Sequence, residues 1–212
     1  MGFLTVGPYG PLSGRTGNTV GRITKNGNVF AARPRKSTKP PTQKQLDVRS
    51  RFTLLAEFLG FLQELVNTGF AAYSSEMSPM NAALQYNYKK AITGVSPNFS
   101  LDLAKVMYSR GKRVTKALGS TISSAATAEI TFAWEVTETT TAKKLDKATF
   151  VIYCAQQGEF VIVQDVATRE DGTYTVQAPQ IFVGEMVHCY MHFTSVNNEV
   201  SDSVHVAQVL VI

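Results

Sequence analysis

From about residue 113 to the last residue, apolar side chains recur at every second position, a period that only an extended strand presents to one face. The sets are Ile130/Phe132/Trp134, Phe150/Ile152/Cys154, Phe160/Ile162, Tyr174/Val176, Val187/Cys189/Met191/Phe193 and Val204/Val206. Gly158, Asp171-Gly172, Gly184 and Asn197-Asn198 punctuate them. Roughly six or seven short antiparallel strands are therefore expected. Residues 113–212 read as an antiparallel β-sandwich, with a small antiparallel barrel as the rival arrangement.

Residues 1–41 are of another kind. They carry seven of the fifteen glycines, and ten of the eleven charged residues from Arg15 to Arg51 are basic. Large apolar groups are too few for the segment to fold alone, which makes it an arm that orders against something else. Within Thr19 to Arg33, Asn26-Gly27 suits the turn of a type I′ β-hairpin, with Ile23 opposite Phe30. Pro34, Pro40 and Pro41 make the stretch that follows an extended basic linker.

Residues 42–112 form a helical region. Thr42 and Gln45 make a capping box at the head of a helix in which Leu46, Phe52, Leu55, Leu59 and Leu62 recur at helical spacing. Val48, Leu54, Phe58, Phe61 and Leu65 widen that stripe to most of the circumference beyond the first two turns, so the helix calls for cover on nearly all sides there, whereas its first turns show Lys44, Arg49 and Arg51 as an exposed basic end. Asn67-Thr68-Gly69 stops it, and Ser78-Pro79 opens a second helix running to Ile92 and ended by Gly94. Leu101, Leu103, Val106 and Tyr108 suggest a strand after Pro97, followed by the basic turn Arg110-Gly111-Lys112-Arg113. The fold class is α+β: a basic N-terminal arm with a β-hairpin and two helices, followed by a C-terminal antiparallel β-sandwich.

With 44% apolar and 17% charged residues, the chain can bury a core. Its net charge of +5 conceals a split: residues 1–120 hold 17 Lys and Arg against 5 Asp and Glu, whereas residues 121–212 hold 4 against 11. A uniformly basic nucleic-acid binder is excluded by that asymmetry. Met1 to Ser13 lacks a secretory signal, and the longest apolar stretch, Phe52 to Val66, is interrupted by Thr53, Glu57, Gln63 and Glu64, so no membrane span is expected.

Catalytic machinery is not legible. Gly14-Arg-Thr-Gly17 lacks the strand, Lys and helix of a phosphate loop, and no Ser or Cys sits in a nucleophile motif. His188 and His192 share a strand face with Tyr190, and His205 belongs to a neighbouring strand; this reads as an exposed polar face rather than a metal site. Asp165, Glu170 and Asp171 read as a solvated acidic turn rather than a Ca²⁺ loop. Cys154 and Cys189 point inward from neighbouring strands and suit two buried thiols or one bridge. No catalytic residue, metal or cofactor is expected.

The second half resembles a fibronectin type III or immunoglobulin-like domain in the placement of Trp134, of Gly184-Glu-Met-Val-His-Cys-Tyr190 and of Asn197-Asn198-Glu199 before Ser201-Asp-Ser203. It departs where such domains place a corner tyrosine, because Val187 stands there. A second resemblance spans most of the chain. It is carried by Gly14-Arg-Thr-Gly-Asn-Thr-Val-Gly21, Pro41-Thr-Gln-Lys-Gln45 with Arg49 and Phe52, Met77-Ser-Pro-Met-Asn81, Tyr86-Asn87, Ala91-Ile-Thr-Gly94 with Pro97, Ser109-Arg-Gly111 and Ser201-Asp-Ser203. These motifs, in this order, resemble an uncharacterised family associated with Bacteroidota genomes and mobile elements and known as a domain of unknown function. That resemblance implies a bacterial or phage-derived structural or surface component and brings no catalytic residues with it.

The expected function is a non-enzymatic structural or assembly protein, cytoplasmic or part of a virion-like particle, forming a homo-oligomer or larger assembly. Arg33, Arg35, Lys36, Arg49 and Arg51 are its assembly or anion-binding residues, and Phe52, Phe58 and Phe61 its hydrophobic contact with neighbours or with the sandwich. Two alternatives stand beside it: a nucleic-acid-associated protein using the basic arm, and a surface adhesion or carbohydrate-binding module.

Overall fold

The computed structural model describes residues 2–4, 12–24, 27–35, 38–75, 77–137 and 141–212. They form two compact units, Met1–Gln43 and Lys44–Ile212. The first is one antiparallel sheet of four strands, β1 (Gly2–Leu4), β2 (Gly14–Thr16), β3 (Thr19–Thr24) and β4 (Gly27–Ala32), in the order β1-β4-β3-β2. The expected hairpin is present within a larger sheet, but its register differs. Thr24 pairs with Gly27, so Ile23 faces Asn28 and Phe30 faces Gly21. Gly27 is thus a strand residue, and the two-residue connection, Lys25 and Asn26, lies outside the described residues.

In the second unit, the expected long helix is broken at Leu62 into α1 (Gln43–Phe61) and α2 (Gln63–Gly69). The second helix, α3 (Pro79–Lys90), starts as expected: the Ser78 hydroxyl accepts from the Asn81 N–H. It ends at Lys90, not Ile92, because Ile92 enters a hairpin of β5 (Ile92–Val95) and β6 (Asn98–Leu101). The strand expected through Tyr108 stops at Leu101. Beyond it, Val106 and Tyr108 are buried in an irregular segment, so their spacing reflects burial without strand pairing.

Seven strands follow: β7 (Thr121–Ser123), β8 (Glu129–Ala133), β9 (Lys147–Cys154), β10 (Glu159–Thr168), β11 (Thr173–Gln177), β12 (Met186–Thr194) and β13 (Val204–Leu210), with a short helix α4 (Thr141–Lys144) before β9. They build two sheets, β11-β8-β7 and β10-β9-β12-β13. The inner faces enclose Ile130, Phe132, Trp134, Phe150, Ile152, Met191 and Phe193, as period two requires. The architecture is α+β with a C-terminal β-sandwich.

The sandwich has a second apolar face, which the alternation did not separate. Val151 and Tyr190, from β9 and β12, join Leu55, Phe58, Leu59, Leu62, Leu65 and Val66 in one helix-covered cluster. Phe160 and Ile162 belong to this outer cluster, not to the inner core, because Phe160 pairs with Tyr153. Strand β9 is therefore buried on both sides, which is why its sequence, Lys147-Ala-Thr-Phe-Val-Ile-Tyr-Cys154, is apolar almost throughout. Phe58 meets the rings of Tyr153 and Phe160 at 5.1 Å each, edge to face; burying such a ring is worth about 2–3 kcal/mol. Cover stops at the C-terminal half of α1. Leu46 and Val48 are exposed on the first two turns, where an exposed basic end is expected, and Phe52 and Phe61 are exposed beyond them, contrary to the cover expected there.

One end of the sandwich holds a buried charge. Arg169, 2% exposed, lies against Asp146 at 3.2 Å, donates to the Thr115 carbonyl at 2.7 Å and covers the Phe193 ring at 3.8 Å. The Trp134 indole N–H donates to the Arg169 carbonyl at 2.9 Å. Of this group the sequence alone points to Trp134 and Phe193, as inward strand residues.

Candidate functional site

The joint between helices and sandwich is the irregular segment from Asp102 to Arg113. Asn87, fully buried on α3, holds it: its side-chain amide donates to the Met107 carbonyl and its oxygen accepts from the Met107 N–H, each at 2.8 Å. Ser109 donates to the Ser201 carbonyl at 2.7 Å, and the Ser203 N–H donates to the Ser109 carbonyl at 2.9 Å. Two glycines permit this approach. A Cβ on Gly69 would lie 2.6 Å from the Tyr108 carbonyl oxygen, and one on Gly111 would lie 1.5 Å from that of Val200. The motifs Tyr86-Asn87, Ser109-Arg-Gly111 and Ser201-Asp-Ser203, far apart in the chain, are thus the parts of one clasp.

The clasp sets Arg110 on the surface between two tyrosines. Its backbone N–H donates to the Gly69 carbonyl at 2.9 Å, and its guanidinium lies 4.3 Å from the Tyr73 centroid and 4.8 Å from that of Tyr86. Beside it, a cleft of about 400 Å³ is lined by Thr68, Ala71 and Ala72 on one wall and by Lys112, Arg113 and Glu199 on the other. The sequence marked Arg110 to Arg113 only as a basic turn. The aromatic partners come from 24 to 37 residues upstream and carry no local signal.

The expected assembly residues fall in separate places. Arg33 and Arg35 are exposed in the N-terminal unit, and Lys36 lies outside the described residues. Arg49 is exposed on α1. Arg51 is half-buried over the Phe99 ring at 4.2 Å, its Nε without a hydrogen-bond partner. Among the phenylalanines, Phe58 is buried on the sandwich, Phe61 stacks on Phe160 at 5.4 Å while 65% exposed, and Phe52 is exposed.

The histidine face is not an exposed polar one. His192 is buried, its Nδ1 3.2 Å from the Tyr108 hydroxyl and its Nε2 3.4 Å from the Thr194 hydroxyl. Half-buried His188 and His205 approach to 3.1 Å, and the Tyr190 hydroxyl donates to the Leu103 carbonyl at 2.8 Å. The irregular segment covers this face through Leu103 and Tyr108, and burial pushes the His192 imidazole down to about 4. Burial also lowers His188 and His205, the latter partly opposed by the Asp102 charge. Burial likewise raises the Tyr108 hydroxyl, which shares its hydrogen bond with Nδ1 of His192.

A pH dependence follows. Between pH 6.5 and about 4 the unfolded chain protonates His192 while the folded chain does not, so folding stability falls with pH across that window and levels off below it. The expected loss at this one site is about 3 kcal/mol. His188 and His205 add in the same direction. Urea midpoints at pH 7.5 and 4.5 should differ clearly in the wild type and less in His192→Gln; equal differences in both would refute the assignment.

Cys154 and Cys189 are buried free thiols, and burial pushes Cys189 up to about 12. Among the described residues no three His, Cys, Asp or Glu side chains converge as metal ligands, and no helix is long and apolar enough to cross a membrane.

Among solved structures, the fibronectin type III domain of human collagen alpha-1(XX) chain is similar over 49% of this chain and 90% of its own, at 12% identity and a TM-score of 0.38. The chicken CNTN1 FN1-FN3 domains are similar over 45% of this chain and 31% of theirs, at 10% identity and a TM-score of 0.31. No curated protein matches the chain. Residues 11–207, which include every part of the clasp, match the model of the family of unknown function DUF6266, and the chain belongs to that family.

Proposed function

We propose that the protein is a non-enzymatic structural component, of bacterial or phage type, that self-assembles through its N-terminal unit. Its working parts are the arm, residues 1–41, the helical region, 42–112, and the sandwich, 113–212. One observation carries the reading: among the residues of β2, β3 and β4, Gly21 alone is buried, while Ile23 is 61% exposed. Strands whose described residues bury no apolar side chain offset little of their ordering entropy, and a second surface completes them. The surface offered to the partner is basic, with Arg15, Arg22, Arg33 and Arg35 described there and Lys36 next in the sequence. The complementary surface is the acidic half, residues 121–212, of another copy, with 11 Asp and Glu against 4 Lys and Arg. Arg49, Arg51 and Phe52 on α1 contribute separately, whereas Phe58 and Phe61 make their contact with the sandwich. Cytoplasmic or particle-associated location belongs to the same reading.

Size-exclusion chromatography with light scattering tests it. The full chain is expected to self-associate at low salt, and Arg33→Glu with Arg35→Glu to return it to a single protomer, as does high salt. A single-protomer mass at every concentration and ionic strength would remove the proposal.

A further inference from the structure

Arg110 is a cation held in place without being neutralised. The two tyrosine rings that sandwich its guanidinium are braced by buried Phe70, 6.3 Å from each. A guanidinium fixed in this way keeps donor edges for a ligand and has already lost the rotamer freedom that binding would cost. It forms a wall common to two clefts. One, of about 400 Å³, carries Lys112 and Arg113; the other, of about 280 Å³, carries Lys89 and Lys90. Lys90 also donates to the Tyr86 hydroxyl at 3.1 Å. Of these five cations Arg113 is paired, with Glu199. Among the described residues no carboxylate lies within ion-pair reach of the other four.

Lys89 and Lys90 have an ordinary reason to be where they are, since cations favour the last turn of a helix. Arg110 and Lys112 have no helix dipole to complement; ring contacts hold them, Arg110 on Tyr73 and Tyr86 and Lys112 over Tyr73 at 5.1 Å, and these attract a cation without neutralising it. Holding four unpaired cations together costs mutual repulsion that a bound anion relieves. We propose that the joined clefts bind a phosphate chain, with Arg110 as the anchoring fork and Lys89, Lys90 and Lys112 as point charges along it. Phosphate fits better than isolated carboxylates because a phosphate chain repeats its charge every few ångströms. The apolar wall of Ala71 and Ala72 has room for a sugar or base. Single-stranded nucleic acid and inorganic polyphosphate share this chemistry.

The test uses the full chain and fluorescence anisotropy of a labelled thymidine oligonucleotide of about 20 nucleotides, longer than the usual site on one domain. Saturable binding is expected at low salt, with a log–log salt slope of about −3 for four phosphate contacts to a single strand. Arg110→Gln should weaken binding on the order of tenfold. Lys89→Gln with Lys90→Gln, both exposed, should weaken binding and flatten the slope by about 1; that pair and Lys112→Gln carry the test if Arg110→Gln does not fold. Lys116→Gln with Lys147→Gln, exposed and outside both clefts, should change neither quantity. Competition by inorganic polyphosphate would assign recognition to the phosphate chain itself, and its failure, with binding retained, would assign the site to nucleic acid. Absence of binding, a loss as large in the Lys116 and Lys147 variant as in the cleft variants, or equal competition by polyglutamate of matched charge would overturn the proposal.

Discussion

Asp146→Ala is expected to destabilise the unit Lys44–Ile212 by about 3–5 kcal/mol, because it leaves the buried Arg169 guanidinium without its counter-charge. Arg169 keeps the Thr115 carbonyl and the Phe193 ring, but neither carries the full negative charge lost with the carboxylate. Replacing both partners, Asp146→Leu with Arg169→Met, should recover most of the loss, since the cost of drying two ions nearly cancels their attraction. The chain's one tryptophan, Trp134, donates to the Arg169 carbonyl, so its emission reports on the same joint during urea unfolding. A loss below about 1 kcal/mol for Asp146→Ala would mean that water reaches this pair and screens it.

Gly111→Ala should be at least as damaging, on the order of 4 kcal/mol or more. The added carbon would meet the Val200 carbonyl oxygen and carbon at 1.5 and 2.5 Å and the Ser201 Cα at 3.0 Å. These are backbone atoms, which cannot rotate away as a side chain would. Relief requires the two chains to part, breaking the bonds from the Gly111 N–H to Asp202 Oδ1 at 3.0 Å and from Ser109 to Ser201. For a domain of ordinary stability this is a large fraction of the total. Gly60→Ala is the matched control. It lies in α1, nothing stands within 4 Å of its added carbon, and alanine should raise stability by up to about 1 kcal/mol. Urea titration of both variants decides the matter; a Gly111→Ala midpoint within error of the wild type would show that the clasp is slack.

The inner core was legible because apolar residues fall at every second position of β8 and β12: Ile130 and Phe132, and Val187, Cys189, Met191 and Phe193, all point into the sandwich. The α3 start was legible for an equally local reason, the Ser78-Pro79 pair. The hairpin register was not. Asn26-Gly27 is a sound turn signal, yet the strand pairing runs through Gly27 itself and shifts Phe30 from Ile23 to Gly21. The candidate binding clefts were half legible. Arg110 to Arg113 stood out as basic, but Tyr73 and Tyr86 meet Arg110 only after α2 and α3 have packed and the clasp has closed.

By itself the sequence determined strands β8 to β13, the inward faces of the main core strands and the start of α3, because each follows from periodicity or from one or two residues with special backbone or capping properties. The tertiary structure alone decided that the outer face of the β10-β9-β12-β13 sheet is covered by α1, α2 and the irregular segment after β6, and hence that Tyr190 and His192 are interior groups and Phe160 is partly buried. The reason is physical. Apolar burial has no direction of its own, so a strand such as β9, apolar on both faces, specifies that it is covered twice without specifying by what. Charge behaves likewise: basic residues can be counted along the chain, but whether a cation is paired, stacked or left open to a ligand depends on groups that only folding brings beside it.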